Sequence, residues 1–443
     1  MCKLNMEQAY ENIVEACENK LLTLYPNGIP EIVQKRYSEE LGMLKVSNQI
    51  DDFEIFRRIS EECQKTSQYI GFRARTSGSF LIYLLGHNQI NPLKAHYYCK
   101  ECGHMEVLDV PLLAVDLPPT KCPVCGRTIY GDGYNLPLES VWGIDGKRKL
   151  EFDYIASKEI YPFAEKVIRN IYPDNEIVNF GFMTYDGDPN KINPETVEIC
   201  KGGYVILPQG RTLKDYEEIS SYLEDGEPCI CCSPIQLESY GLKKIAIYTS
   251  SAADYLMELQ RRSGIYAMEI SARDLKEIKY FDIVNTRILS EIESNLFLYK
   301  KPGNFLETVN LMSLCHNSFY DVQPRKENTF WELEMNVLES DAFQKYPCYT
   351  REDFFERLLQ CGLERETAYQ WSEIIRKGQL KRHPEFAELN IPDELKTVAK
   401  MYMYIFPRAH NIEFLLMYSR LAFYLKWNSR VYSAVTGKKK TDL

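Results

Sequence analysis

The feature that most restricts what this chain can fold into is a set of four cysteines in two close pairs. Cys99 and Cys102 sit in C-K-E-C-G, Cys122 and Cys125 sit in C-P-V-C-G, and 19 residues separate the pairs. Each C-x-x-C turn can aim two thiolates at one ion, while Gly103 and Gly126 let the backbone fold tightly behind them. Four sulfurs close a tetrahedral shell, so the spacing matches a zinc ribbon whose Zn2+ is structural, with no position left open for a substrate. The plainer reading is four reduced thiols that happen to fall at ligand spacing. His96 and His104 are close in sequence but not needed to complete the shell, and both are expected as surface residues.

Immediately downstream, Lys149-Leu150-Glu151-Phe152-Asp153-Tyr154 alternates polar and apolar side chains, which is the period of a half-buried strand. Glu151 and Asp153 would then share one face. Two carboxylates at that spacing are how many phosphoryl-transfer enzymes hold a pair of divalent cations, although a solvated strand face has the same pattern.

Composition bounds the rest. At 443 residues the chain can bury a large core divided over two or more domains, and its 45% hydrophobic and 12% aromatic content is that of a folded protein. It has no run of about 18 apolar residues to span a bilayer and no signal-peptide order at its start, so a soluble, cytoplasmic protein without a membrane partner is expected. Of the fourteen cysteines, those outside the two pairs are scattered, which favours a reducing compartment over a disulfide framework. A net charge of −10 argues against a protein that coats nucleic acid indiscriminately, so any such contact must come from local basic patches.

Taken in order, residues 6–69 read as helices broken at Pro26 to Pro30. Ile70 to Phe80 is a small-residue loop leading into an apolar helix, Phe80 to Leu85. Small polar residues at a helix start can turn backbone N–H groups toward an anion, with Arg73 and Arg75 adding charge; an ordinary helix cap is the blander reading. A helix follows near Glu159 to Ile171, strands over 176–184 and 200–208, and a helix over Leu213 to Leu223. Cys229, Cys231 and Cys232 lack a second pair and read as buried small side chains. Lys243 to Tyr248 is a strand ending at Thr249-Ser250, an N-cap for the helix Ala252 to Arg262. From Asp274 helical patterns run to the end, through Cys348 to Leu380, a basic stretch at Arg376 to Arg382, and a last helical block carrying Tyr402, Tyr404 and Phe406 to Trp427. Lys438 to Lys440 form a basic tail.

Several of these blocks, in this order, resemble the polymerase core of the PolC-type DNA polymerase III alpha subunit, the replicative polymerase of low-GC Gram-positive bacteria. Gly28 to Arg36 resembles the start of that family's palm, and Arg73 to Phe80 its R-G-S-x-G-S-S-F phosphate loop. Asn91-Pro92-Leu93 through Gly126 resembles the approach to its zinc module and the module itself. Lys201-Gly202-Gly203 through Pro208 resembles the segment around its H-P-G-G motif, and Cys348 to Gly378 with Met403 to Tyr424 resemble its fingers. The likeness covers most of residues 20–435. It implies an α+β fold: a polymerase palm of the beta-nucleotidyltransferase type with an inserted four-cysteine zinc ribbon, followed by a mostly α-helical fingers-like domain. The parts would be residues 1–95, N-terminal helices and start of the palm; 96–130, the ribbon; 131–271, the palm; and 272–443, the helical domain.

In that family three palm aspartates hold two Mg2+ ions that activate the primer 3′-hydroxyl and brace the triphosphate. Its P-D-I-D-L-N-F motif falls on Leu150 to Ala156, so one Asp is kept as Asp153 and the other has become Glu151. The third, in K-L-D-I-L-G-H-D-D, falls on Lys244 to Ala252 and is replaced by Ala246; Leu259-Gln260 and Ser263-Gly264-Ile265 match downstream without a gap. Ala74-Arg75 stand for Gly-Ser in the phosphate loop, and the arginine and Q-H-P before Gly202-Gly203 are absent. The resemblance therefore assigns Glu151 and Asp153 as the remnant of a metal site, with Ala246 at the lost third position. It assigns Arg73, Ser77, Gly78, Ser79, Gly202, Gly203, Arg376, Lys377, Arg408 and His410 as the remnant of the nucleotide and phosphate contacts.

Each metal supplies several kcal/mol of transition-state stabilisation, and a displacement of roughly 1 Å in a reacting geometry costs about a hundredfold. The expectation is a pseudoenzyme with DNA and other proteins as candidate partners, in which Mg2+ matters only if residual polymerase activity exists. One alternative is a weak or specialised DNA-directed DNA polymerase using Glu151, Asp153 and a substitute carboxylate such as Asp254 or Glu258. A second is a protein-interaction module without nucleic acid, favoured by the acidic charge and disfavoured by the basic stretches. The family's phosphoesterase-like, exonuclease, oligonucleotide-binding and helix-hairpin-helix modules and its clamp-binding peptide are not recognised, so the expectation is a free-standing palm and fingers in a bacterial cytoplasm.

Overall fold

The computed structural model describes residues 5–86, 89–185, 197–320 and 332–437, so the basic tail at Lys438 to Lys440 lies outside the described residues. The chain forms two compact units, each assembled from discontinuous segments. One combines the start of the chain through Ala16 with Gln49–Arg73 and Phe152–Met257; the other combines Cys17–Asn48, Ala74–Glu151 and Glu258–Leu443.

The first unit is built on a seven-stranded mixed sheet. Its spatial order is Ile70–Phe72, Asp153–Ala156, Lys243–Thr249, Val197–Ile206, Ile177–Tyr185, Pro228–Ile230 and Ser220–Tyr222. Asp153–Ala156 runs antiparallel to Ile70–Phe72 and parallel to Lys243–Thr249, which in turn runs antiparallel to Val197–Ile206. One face is covered by the helix Ile50–Thr66, whose apolar positions Phe53, Phe56, Ile59 and Cys63 recur every three or four residues and are buried. Their rings meet those of the sheet: Phe56 and Phe72 lie 4.9 Å apart, Phe72 and Tyr154 5.0 Å, Phe53 and Phe152 5.1 Å. Lys243 ties the same helix to the sheet through Asp51 and, at 2.6 Å, Asp52. Because side chains alternate along a strand, Asp153, Lys244, Ala246, Tyr248 and Phe180 occupy the opposite face.

Two glycines let the central strands approach. Gly203 has φ +124°, and a Cβ there would lie 2.0 Å from the Ile245 carbonyl oxygen; a Cβ on Gly202 would lie 2.5 Å from the Phe182 ring. The register of this strand pair shifts between Phe180 and Gly181, beside the same glycines.

The second unit is mostly helical. It includes Glu31–Ser47, Phe80–Leu84, Leu138–Trp142, Arg351–Gln360, Arg365–Arg376, and a central helix, Arg408–Trp427, buried over most of its circumference. Small antiparallel sheets accompany the cysteine pairs: His96–Tyr98 lies between Met105–Val107 and Gly131–Asp132, and Thr120–Lys121 pairs with Thr128–Ile129.

The mixed α+β class and most expected elements are present, and the differences are local. Ile70–Phe72, expected within a small-residue loop, is a strand paired with Asp153–Ala156. The strand expected over Lys149 to Tyr154 begins only at Asp153; Glu151 precedes it, exposed, and its carbonyl accepts from Thr76 Oγ1 at 2.6 Å rather than entering a ladder. Leu213–Ile219 is a 3-10 helix that gives way to the strand Ser220–Tyr222. Tyr402–Tyr404, expected as helix, pairs with Ser318–Phe319 as a strand. His96, expected at the surface, is buried with Nδ1 2.7 Å from the Lys94 carbonyl oxygen. Among the described residues, no helix is long and apolar enough to cross a membrane.

The Gly203 approach is testable. Gly203→Ala forces a methyl against a carbonyl oxygen at a φ that L-residues avoid, and should destabilise the fold by about 3 kcal/mol, read as a lowered urea midpoint.

Candidate functional site

The metal-binding geometry is complete at the cysteine pairs. In the first knuckle the Cys99 amide donates to the His104 carbonyl and the Gly103 amide to the Cys99 carbonyl, both at 2.8 Å. The second repeats the pattern with Cys122 to Arg127 at 2.8 Å and Gly126 to Cys122 at 2.9 Å. Sγ of Cys99 lies 3.4 Å from that of Cys125, Cys102 lies 3.5 Å from Cys122, and all four lie within 4.8 Å of one another. Tetrahedral zinc with bonds near 2.3 Å separates its sulfurs by about 3.8 Å, so this donor set could hold a metal such as zinc. Among the described residues no other group of three or more His, Cys, Asp or Glu side chains gathers in this way, Cys229, Cys231 and Cys232 included.

The acidic site is different. In the first unit Ala246 stands directly opposite Asp153 in the parallel ladder, with Gly203 the next residue in that row, so the row supplies one carboxylate. The Ala246 methyl is buried and the Asp153 side chain is one-fifth exposed. Two residues before Ala246, on the same face, Lys244 places Nζ 3.6 Å from Asp153 Oδ1 and 5.2 Å from the Phe180 ring centroid. Arg73 donates its backbone N–H to the Asp153 carbonyl at 2.9 Å, and its guanidinium lies 4.3 Å over the Tyr248 ring. Glu151 belongs to the second unit. Within the first unit this row therefore holds one carboxylate, paired with an ammonium.

From Ala74 on, the loop that resembles a phosphate loop lies in the second unit, and a side chain of the protein itself meets its helix start. Ala74 holds φ 57°, the left-handed conformation that glycine adopts without strain. Glu40, fully buried, accepts from Ser79 Oγ at 2.7 Å and from the amides of Phe80 at 2.9 Å and Leu81 at 3.2 Å; Arg36 pairs with it at 2.7 Å. The anion at this helix start is therefore a resident carboxylate. Ser77 and Gly78 meet the start of the central helix: Ser77 Oγ donates to the Ala409 carbonyl at 3.2 Å, a Cβ on Gly78 would lie 3.4 Å from Ala409 Cβ, and the Ala74 amide donates to His410 Nδ1 at 3.2 Å.

The basic residues assigned by resemblance are mostly consumed internally. Arg376 is buried against Glu373 at 3.1 Å and donates to Tyr404 Oη at 3.0 Å. Glu373 also receives Arg351 and Arg148, each at 2.8 Å. Arg351 pairs with Glu352 at 2.9 Å, Glu352 accepts the Arg408 amide at 2.8 Å, and the Arg408 guanidinium reaches Asp353 at 2.7 Å and Glu356 at 3.4 Å. Lys377 caps its helix and is exposed. Sequence reasoning missed Glu40, Glu373 and Lys244. Arg36 and Glu40 are a legible i, i+4 pair and Lys244 shares strand parity with Ala246, but the partners that give them meaning are distant in the chain.

Two outcomes follow from this geometry. Purified protein should carry one zinc per chain by elemental analysis, and Cys99→Ser or a strong chelator should abolish it and lower the melting temperature. Glu373→Gln should cost about 4 kcal/mol at pH 7, because it leaves buried guanidinium groups short of charge. Burial pushes the Glu373 carboxyl up, but Arg351, Arg376 and Arg148 outweigh it and hold it well below the usual carboxylate range. A depressed folded-state value contributes stability above the unfolded value near 4 that is lost as pH falls further. The gap between wild type and variant in urea melts should therefore be constant from pH 8 to about 5 and narrow below about 4.

No family model matches the chain. It is similar to the PolC-type DNA polymerase III of Thermotoga petrophila, at 23% identity over 95% of this chain and 33% of that protein. It is similar to that of Bacillus subtilis at 24% identity, over 99% and 34%, and to that of Caldanaerobacter subterraneus at 21%, over 99% and 34%. The chain spans about a third of the length of these curated relatives. Across that span it resembles the core of PolC-type DNA polymerase III, at low identity.

Proposed function

We propose that this chain is a catalytically degenerate relative of the PolC-type polymerase core, whose palm and fingers framework serves as a scaffold for DNA or for assembly with other proteins. The observation that carries this reading is the pairing of Ala246 with Asp153, which puts a methyl group where the resemblance expects the third metal-binding carboxylate. Mg2+, where such a site holds it, activates a hydroxyl nucleophile and neutralises a triphosphate. Here the remaining residues do other work: Asp153 meets Lys244, and Glu40 fills the anion seat of the loop. The two substitute carboxylates are also engaged. Asp254 accepts from Ser157 Oγ at 2.8 Å and the Lys158 amide at 3.1 Å, and Glu258 pairs with Arg261 at 3.0 Å and Arg262 at 2.7 Å. That supports the degenerate reading over a weak polymerase.

In this reading zinc in the four-cysteine site is structural and stiffens the region around it. DNA enters as a partner because the relatives are named DNA polymerases. Primer extension on a primed template, with Mg2+ or Mn2+, should show no incorporation above an Asp153→Ala control; template-dependent synthesis above that control would overturn degeneracy. Binding to the same primed duplex should weaken steeply with salt, as phosphate contacts release counterions. A flat salt dependence would leave assembly with proteins as the scaffold's role.

A further inference from the structure

A strand pair with one carboxylate where the resemblance expects two still has a charge to balance. Asp153 is largely buried on its face of the sheet, and a buried carboxylate needs a counter-charge. In a two-metal site the cations supply it. Here Lys244, which shares the strand and face of Ala246, carries its ammonium to 3.6 Å from Asp153 Oδ1, with its own side chain one-quarter exposed. Ala246, opposite Asp153 and two residues after Lys244 on the same face, has a short side chain that offers no competing acceptor for that ammonium. The Phe180 ring, 5.2 Å from Lys244 Nζ, provides a second favourable surface for the same charge. The Arg73 guanidinium, stacked on Tyr248, adds a further positive group to the same part of the sheet.

From this geometry we infer that Lys244 replaces the divalent cation as the counter-charge of Asp153, so that the face excludes free divalent metal. The inference rests on reading Asp153 as the remnant of a metal site, and it adds the device that keeps the remnant neutral. A divalent ion entering beside Asp153 would have to displace an ammonium already paired there, or sit within a few ångströms of it. Repulsion between a double and a single charge at that range weakens binding by on the order of tenfold or more even with strong solvent screening.

The test is Mn2+ binding, followed by electron paramagnetic resonance on the zinc-loaded chain. Four proteins are compared: wild type, Asp153→Asn, Lys244→Met, and the double variant, with circular dichroism to establish that each is folded. Wild type and Asp153→Asn should bind Mn2+ alike. Lys244→Met should gain a site at least tenfold tighter than any in wild type, and that site should vanish in the double variant. Mn2+ binding by wild type that depends on Asp153 overturns the inference, as does a folded Lys244→Met that gains nothing. Neither result depends on primer extension. A chain that binds Mn2+ through Asp153 yet extends no primer sinks the counter-charge role alone, whereas synthesis by a chain without such Mn2+ binding sinks the proposed function alone.

Discussion

The parallel pairing of Asp153–Ala156 with Lys243–Thr249 is the constraint on which the acidic site depends. A parallel ladder sets opposite side chains on the same face, so the register that pairs Asp153 with Ala246 decides which residues can share a ligand. A slip by one residue would bring Ile245 or Ile247 into the row and turn Lys244 to the helix-covered face. That slip is opposed on two sides. Tyr154 is locked into the aromatic cluster with Phe56 and Phe72, and Gly203 admits the neighbouring strand at only one position, because a side chain there would collide with the Ile245 carbonyl.

Charge is handled in the same manner at one place in the second unit, where four arginines are turned inward onto carboxylates. Arg148, Arg351, Arg376 and Arg408 form one connected array with Glu352, Asp353, Glu356 and Glu373. Such an array specifies the arrangement of its helices more than it adds net stability, because desolvation offsets much of the Coulomb attraction. Lys377, exposed at the end of its helix, is the assigned basic residue there that remains turned to solvent.

Much of this was legible in the sequence where the governing rule is local. Ligand spacing in C-K-E-C-G and C-P-V-C-G, helical periodicity at Phe53, Phe56 and Ile59, and the alternation in Lys243 to Tyr248 each rest on neighbours within a few residues. Glu151 was misplaced because alternation continues past the point where a strand still has partners; Thr76 takes its carbonyl instead. Tyr402–Tyr404 lies among strong helical patterns, and a three-residue strand leaves too little periodicity to stand out. The joining of Gln49–Arg73 to Phe152–Met257, and of Glu40 to Ser79, is a matter of contacts between distant positions that local patterning does not encode.

The Glu40 carboxylate has a consequence for how the loop after Ala74 behaves over time. A turn shaped around an incoming anion is commonly loose until that anion arrives, and then pays its ordering entropy on arrival. Here the shape is latched from within by a side chain that cannot diffuse away, so the turn is set once, during folding. A phosphate group would then compete against a tethered rival.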